Sequence, residues 1–124
     1  IIGGGLLEMN DFSGISAGCR IITGSDDFSG NNLTNPTIPL NYRSVERSGK
    51  VRICKHGLLG TNTVVHPNIT IGEGAVTGSN TLVIKDLEPW KIYIGSPAKK
   101  IKDRNKYLLN FEKKLLEKMN GGKL

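Results

Sequence analysis

Residues 51–86 read VRICKHGLLGTNTVVHPNITIGEGAVTGSNTLVIKD and divide without a gap into six hexads: VRICKH, GLLGTN, TVVHPN, ITIGEG, AVTGSN and TLVIKD. The third position is Ile53, Leu59, Val65, Ile71, Thr77 and Val83, aliphatic five times and threonine once. The fourth is Cys54, Gly60, His66, Gly72, Gly78 and Ile84. Apolar or small residues at positions one and three give a period of two, which is a strand only a few residues long. Gly and Asn between these runs supply turns, because both tolerate positive φ. A period of six is no helical period and is too short for one hairpin per repeat. One strand and one turn per hexad, with three hexads to a coil, predicts a triangular parallel β-helix. Third positions then stack every 18 residues, Ile53 under Ile71, Leu59 under Thr77 and Val65 under Val83.

The same phase runs through the first 24 residues, where LEMNDF, SGISAG and CRIITG put Met9, Ile15 and Ile21 at the third position. It stops at Ser25 and restarts at Val51. The intervening SDDFSGNNLTNPTIPLNYRSVERSGK has neither a helical nor a strand period, and a loop this long inside a compact domain usually has a function. Expelled from a solenoid, segment 25–50 protrudes from one corner. After Asp86 the chain changes again. Segment 87–103 holds two prolines and predicts an extended exit. Segment 104–120 puts Tyr107, Leu108, Phe111, Leu115 and Met119 at helical spacing, and Gly121-Gly122 stops it. The expected role of this helix is to cap the open end of the solenoid. The whole chain is one domain.

With 124 residues the chain has room for one core. Its 37% apolar and 23% charged residues fit neither a disordered nor a membrane-inserted chain, and no apolar run approaches the roughly 20 residues that span a bilayer. Cys19 and Cys54 form no CxxC and have no histidine at zinc spacing, so the sequence predicts no disulfide framework, no metal and free buried thiols in a reducing compartment, the cytoplasm. Two Asn-X-Thr triplets, at Asn32 and Asn68, are read as chance.

The charge is segregated. Residues 1–84 carry six basic and six acidic side chains, whereas 85–124 carry eleven and five, so the net +6 lies in the last 40 residues. With no aromatic-interleaved basic surface, this points to a small polyphosphorylated partner and not to nucleic acid.

VVHPNITIGEGAVTGSNTLVIKDLEPWKIYIGSPAKKIKDR resembles the closing coil, "VxKD" exit and "GxPAKxIKxR" tail of the hexapeptide-repeat acyltransferases, in particular the maltose, galactoside and polysaccharide sugar O-acetyltransferases. The loop SDDFSGNNLTNPTIP resembles a subgroup found among cell-surface polysaccharide enzymes. The resemblance implies an all-β left-handed parallel β-helix, an exception to the usual right-handed crossover. It also implies a homotrimer with sites between subunits, coils preceding Ile1, and transfer of acetyl from acetyl-CoA to a hydroxyl of a sugar or sugar-nucleotide acceptor. N-acetylation of an amino sugar, a γ-type carbonic anhydrase and a non-catalytic trimeric binding module are the alternatives. The carbonic anhydrase needs three zinc-binding histidines where this chain has two.

Such a transfer requires a base for the hydroxyl and a donor aimed at the oxyanion. The two histidines are His56, expected beside the returning loop and preferred as the base, and His66. The family's catalytic histidine commonly lies where the loop begins, or before it. Here Ser25-Asp26-Asp27 begin the loop, and Asp26 and Asp27 are expected to bind sugar hydroxyls or to orient a histidine. By resemblance Thr61, Ser79, Ile84 and Lys85 match contacts to the pantetheine arm and adenosine end. Lys102 and Arg104 match cations at the phosphates, assisted by Lys99 or Lys100.

Overall fold

The computed structural model describes residues 1–43 and 49–121; residues 44–48 of the expected loop and 122–124 lie outside the described residues. Strands β1 (Leu6–Met9), β2 (Gly14–Ile15) and β3 (Arg20–Ile21) precede the loop. Strands β4 (Lys50–Ile53), β5 (Leu58–Leu59), β6 (Val64–Val65), β7 (Thr70–Ile71), β8 (Val76–Thr77) and β9 (Leu82–Val83) follow at one per hexad. Every third strand pairs in parallel, giving faces β1-β4-β7, β2-β5-β8 and β3-β6-β9. The chain therefore winds as a three-sided parallel β-helix. The registers Ile53↔Ile71, Leu59↔Thr77 and Val65↔Val83 are those expected from the repeat.

In all six hexads positions one and three are buried, so the core consists of two inward residues per hexad. Position two is exposed or half-buried. The sixth position turns the corner in the left-handed region at His56, Asn62, Asn68, Gly74 and Asn80, with φ between 57° and 69°. Phe12, Gly18 and Trp90 do the same at 58°, 73° and 58°.

The loop is an insertion that leaves this register intact. Met9 pairs with Ile53, 44 residues on instead of 18, and the difference of 26 is the length of segment 25–50. The Gly49 N–H donates to the Thr23 carbonyl at 2.5 Å, so the loop leaves and returns at one point. Within it, Leu33 bridges Arg43 and a single 3-10 turn spans Leu40–Tyr42.

Two expectations for the tail are corrected. Segment 87–103 is not a plain extended exit. It folds into a hairpin of β10 (Lys91–Ile94), which continues the second face beside β8, and antiparallel β11 (Lys99–Asp103). The helix α1 is Leu108–Asn120, not 104–120. Arg104 is held to the coil by its N–H on the Trp90 carbonyl (2.9 Å), and the Asn105 carboxamide oxygen takes the Tyr107 N–H (2.7 Å), which delays the first turn. Nor does α1 cover the end of the solenoid: it lies along one corner, beside Phe12 and His56. Both cysteines are free and half-buried rather than buried. Among the described residues no helix is long and apolar enough to cross a membrane.

Candidate functional site

Each coil has three corners. Corner A follows the first face and stacks Phe12, His56, Gly74 and Trp90. Corner B follows the second and stacks Ser16, Gly60-Thr61 and Gly78-Ser79. Corner C follows the third and stacks Ile22-Thr23, His66-Pro67 and Ile84-Lys85.

His56 was expected beside the loop, and the structure corrects this. The loop leaves and returns at corner C, and β4 then carries the chain along the first face, about 13 Å for four residues. His56 therefore stands at corner A, where it is 6% exposed. Its ring stacks on Phe12 (centroids 5.1 Å, 16° between planes), with Trp90 at 6.0 Å. Nε2 lies 2.5 Å from Oε1 of Glu112 on α1, which also pairs with Lys55 at 3.1 Å. Burial opposes the charge on Glu112; hydrogen bonds from Lys55 and His56 overcome it and hold the carboxyl below the usual glutamate value. This histidine seats the helix.

Arg104, expected at a phosphate, belongs to the same corner. Its Nη1 donates to the His56 and Gly74 carbonyls at 2.7 and 3.1 Å, and the guanidinium lies over the Trp90 ring at 5.9 Å. It ties two successive coils together. Lys102 is exposed on β11, opposite Ile92 on the extension of the second face, away from the remaining coenzyme candidates.

Those remaining candidates flank one face of the solenoid. Thr61 and Ser79 are exposed at corner B one coil apart, with the Asn80 N–H donating to the Thr61 carbonyl at 2.8 Å. Ile84 and Lys85 stand at corner C and line a cavity of about 330 Å³ with Asp86, Leu87, Tyr93, Pro97, Ala98 and Lys99. Corners B and C are the two edges of the third face. An apolar-walled groove with two ammonium groups suits an adenosine and phosphate end, since desolvated rings and charge-assisted contacts reinforce each other.

The base of the loop sits at corner C. Asp26 and Asp27 are used within the loop itself: Asp26 accepts the Asn35 N–H at 3.3 Å, and Asp27 accepts the Ser29 N–H at 2.9 Å and the Asn32 carboxamide at 3.3 Å. They shape the turn from which the loop departs. His66, one coil above that departure, is exposed. Counting hexad phase from Val51 would have placed His66 at the loop's corner and His56 at another. Glu112, missed from sequence, carried a signal too: it is a carboxylate inside the apolar stripe of Leu108, Phe111 and Leu115. Among the described residues no group of three His, Cys, Asp or Glu side chains could hold a metal.

No family model matches the chain. It is 37% identical over 112 residues to an Escherichia coli protein named dTDP-4-amino-4,6-dideoxy-D-glucose acyltransferase, covering 90% of this chain and 58% of that one. A Klebsiella aerogenes chloramphenicol acetyltransferase is 48% identical over 59 residues, 48% of this chain and 28% of that one. Among solved structures, AntD, an N-acyltransferase from Bacillus cereus bound to dTDP and 3-hydroxybutyryl-CoA, superposes with a TM-score of 0.85 at 41% identity, over 92% of this chain and 60% of that one. Further structures of AntD carry substitutions at one serine and one aspartate ten positions apart. A galactoside acetyltransferase, at 20% identity and a TM-score of 0.61, shares the fold. The chain spans about three-fifths of the Escherichia coli acyltransferase and of AntD, and over that span it is similar to both.

Proposed function

We propose that the third face of this solenoid is the transfer face of an acyl-CoA-dependent acyltransferase whose acceptor is a nucleotide-linked amino sugar. The observation that carries it is the placement of Thr61 and Ser79 along one edge of that face and of Ile84 and Lys85 along the other, the edge from which the loop departs. The spacing of the substituted AntD residues supports it. Ser16 and Asp26 are the one pair in this chain in which an aspartate follows a serine by ten residues, and they flank the same face, Ser16 at corner B and Asp26 just beyond corner C.

The expected hydroxyl acceptor gives way to an amine, because the Escherichia coli relative is named for an amino sugar and AntD for N-acylation. The chemistry differs accordingly. A neutral amine attacks a thioester without prior deprotonation; the proton has to leave the nitrogen as the tetrahedral intermediate collapses and the thiolate departs. The donor is an acyl-CoA, acetyl by family default. Left-handed winding, a homotrimer in which loop 25–50 completes a neighbour's site, and residence in the cytoplasm with its acyl-CoA pool belong to the same reading.

The test offers the protein acetyl-CoA with dTDP-4-amino-4,6-dideoxyglucose, or with the sugar nucleotide bearing a hydroxyl at that carbon, and measures thiol release. Release with the amine alone is expected. Equal release with the hydroxyl would return the reading to O-acylation. Thermal stabilisation by coenzyme A with no release in either case would leave a binding module.

A further inference from the structure

We propose that Arg20 holds the diphosphate of the sugar-nucleotide acceptor. The inference rests on the amine-acylation reading above and adds the group that selects a nucleotide-linked sugar over a free one.

The placement of Arg20 carries it. In the first 42 residues it is the only basic side chain. It is the second residue of its hexad and the first of β3, so it stands outward on the third face while Ile21 after it is buried. Ser16 precedes it by four residues at corner B, and Asp26 follows it by six just beyond corner C. The backbone beneath the side chain is fixed, because the Arg20 N–H donates to the Thr63 carbonyl at 2.9 Å. The guanidinium itself has a local contact, Nη1 donating to the Gly18 carbonyl at 3.3 Å, and is exposed. Among the described residues it forms no ion pair, whereas Lys50 and Arg52 share Glu8 on the first face and Lys55 pairs with Glu112 at corner A.

Which anion it meets follows from the column above it. Arg20 is in register with Val64, and Val64 with Leu82, so two half-buried apolar side chains rise from it along the face. With strands about 4.8 Å apart, Arg20 lies roughly 10 Å below the coil that carries Ile84 and Lys85. That upper groove takes the coenzyme phosphates, and the apolar strip suits the uncharged pantetheine arm. Arg20 stands beyond the lower end of the strip, on the coil of Ser16 and Asp26, where the acceptor has to enter. A sugar nucleotide brings a diphosphate there, bonded to the anomeric carbon of its sugar. A planar guanidinium offers parallel N–H donors to neighbouring phosphate oxygens, a geometry that an ammonium lacks. Held in this way, the sugar keeps its ring against the face while its amine meets the thioester.

The experiment compares the unaltered protein with Arg20→Ala and Arg20→Lys. Acetyl-CoA is supplied with dTDP-4-amino-4,6-dideoxyglucose or with the methyl glycoside of the same amino sugar, and dTDP alone is titrated by calorimetry. Loss of charge-assisted contacts in Arg20→Ala predicts a rise of about 10-fold or more in KM for the sugar nucleotide and in Kd for dTDP. KM for acetyl-CoA should stay within about twofold and kcat within about threefold. Turnover of the glycoside, which has no phosphate, should be the same in all three proteins. Arg20→Lys keeps the charge without the fork, so it should recover part of the loss, and it decides the matter should the alanine variant unfold. Unchanged dTDP affinity in a folded variant overturns the assignment, as does an equal loss of turnover with the glycoside. A rise in acetyl-CoA KM alone would give Arg20 to the coenzyme, and equal rises in both KM values with a lower Tm would make it a structural contact; either overturns it. A parent that binds dTDP through Arg20 but releases no thiol with the amine keeps the diphosphate site and defeats the acyl-transfer reading.

Discussion

Gly74 turns its corner with φ +69°, and a Cβ there would lie 2.3–2.6 Å from atoms of the Trp90 ring. Gly74→Ala therefore combines the cost of a left-handed residue, about 1–2 kcal/mol, with displacement of a ring that also carries Arg104. A loss of roughly 3 kcal/mol and a drop in Tm of about 10 °C are expected in thermal unfolding; an unchanged Tm would show that Trp90 moves aside freely. Single residues also set the limit of what the sequence discloses. Asn62, Asn68, Asn80 and Gly74 announce their corners, because those residue types tolerate positive φ. Phe12, His56 and Trp90 adopt the same conformation against their type, held by the aromatic column they build between coils. Thr77, the exception among the third positions, is buried because its hydroxyl meets Thr63 at 2.8 Å and takes the Gly60 N–H at 3.1 Å, a pairing visible only once coils stack.

Among elements, the six central strands and their register follow from counting by six, since position parity decides which side chains enter the core. The hairpin and the true start of α1 do not. They depend on where Arg104 is anchored, a contact between segments 30 and 48 residues apart. Helix α1 buries none of its residues, and Glu112 links it to Lys55 and His56. Because the folded carboxyl titrates below its ordinary value near 4.5, its contribution is present above that value and is lost as pH falls through the depressed folded one. Hydrogen-exchange protection across 108–120, taken relative to the unfolded chain at each pH, should accordingly fall on acidification, before protection in β4–β9 does. Glu112→Gln should show low protection of 108–120 at neutral pH that no longer falls with acid; equal protection in both proteins would place the anchor elsewhere. The loop makes the opposite prediction. Deleting 25–50 joins Gly24 to Val51 in unbroken hexad phase, so the variant should keep its far-ultraviolet dichroism and cooperative melting while losing acyl transfer. Loss of cooperative melting would show that the loop supports the coils.

For the whole molecule, the +6 carried by 85–124 is not a uniform basic surface. Lys91 is paired with Asp103 at 2.6 Å and Arg104 is turned inward onto carbonyls, whereas Lys85 and Lys99 share the groove at corner C. The segregation read from sequence is real, but not all of it faces an incoming anion, because backbone carbonyls hold Arg104 and Asp103 pairs with Lys91. Two ammonium groups on coenzyme phosphates, at about 1.5 kcal/mol each for charge-assisted hydrogen bonds, total near 3 kcal/mol before screening. Exposure and salt reduce this, so Lys85→Ala with Lys99→Ala should raise KM for acetyl-CoA about 10-fold, equivalent to about 1.4 kcal/mol. KM for the sugar nucleotide, which also carries a diphosphate, should stay within about twofold, and this separates a coenzyme groove from a general attraction for anions. The same variant should lose most of the rise in acetyl-CoA KM that added salt produces in the parent. Steady-state kinetics in low and high salt decide it: parallel increases in both KM values would assign the lysines to long-range steering, and no increase would place the coenzyme phosphates away from corner C.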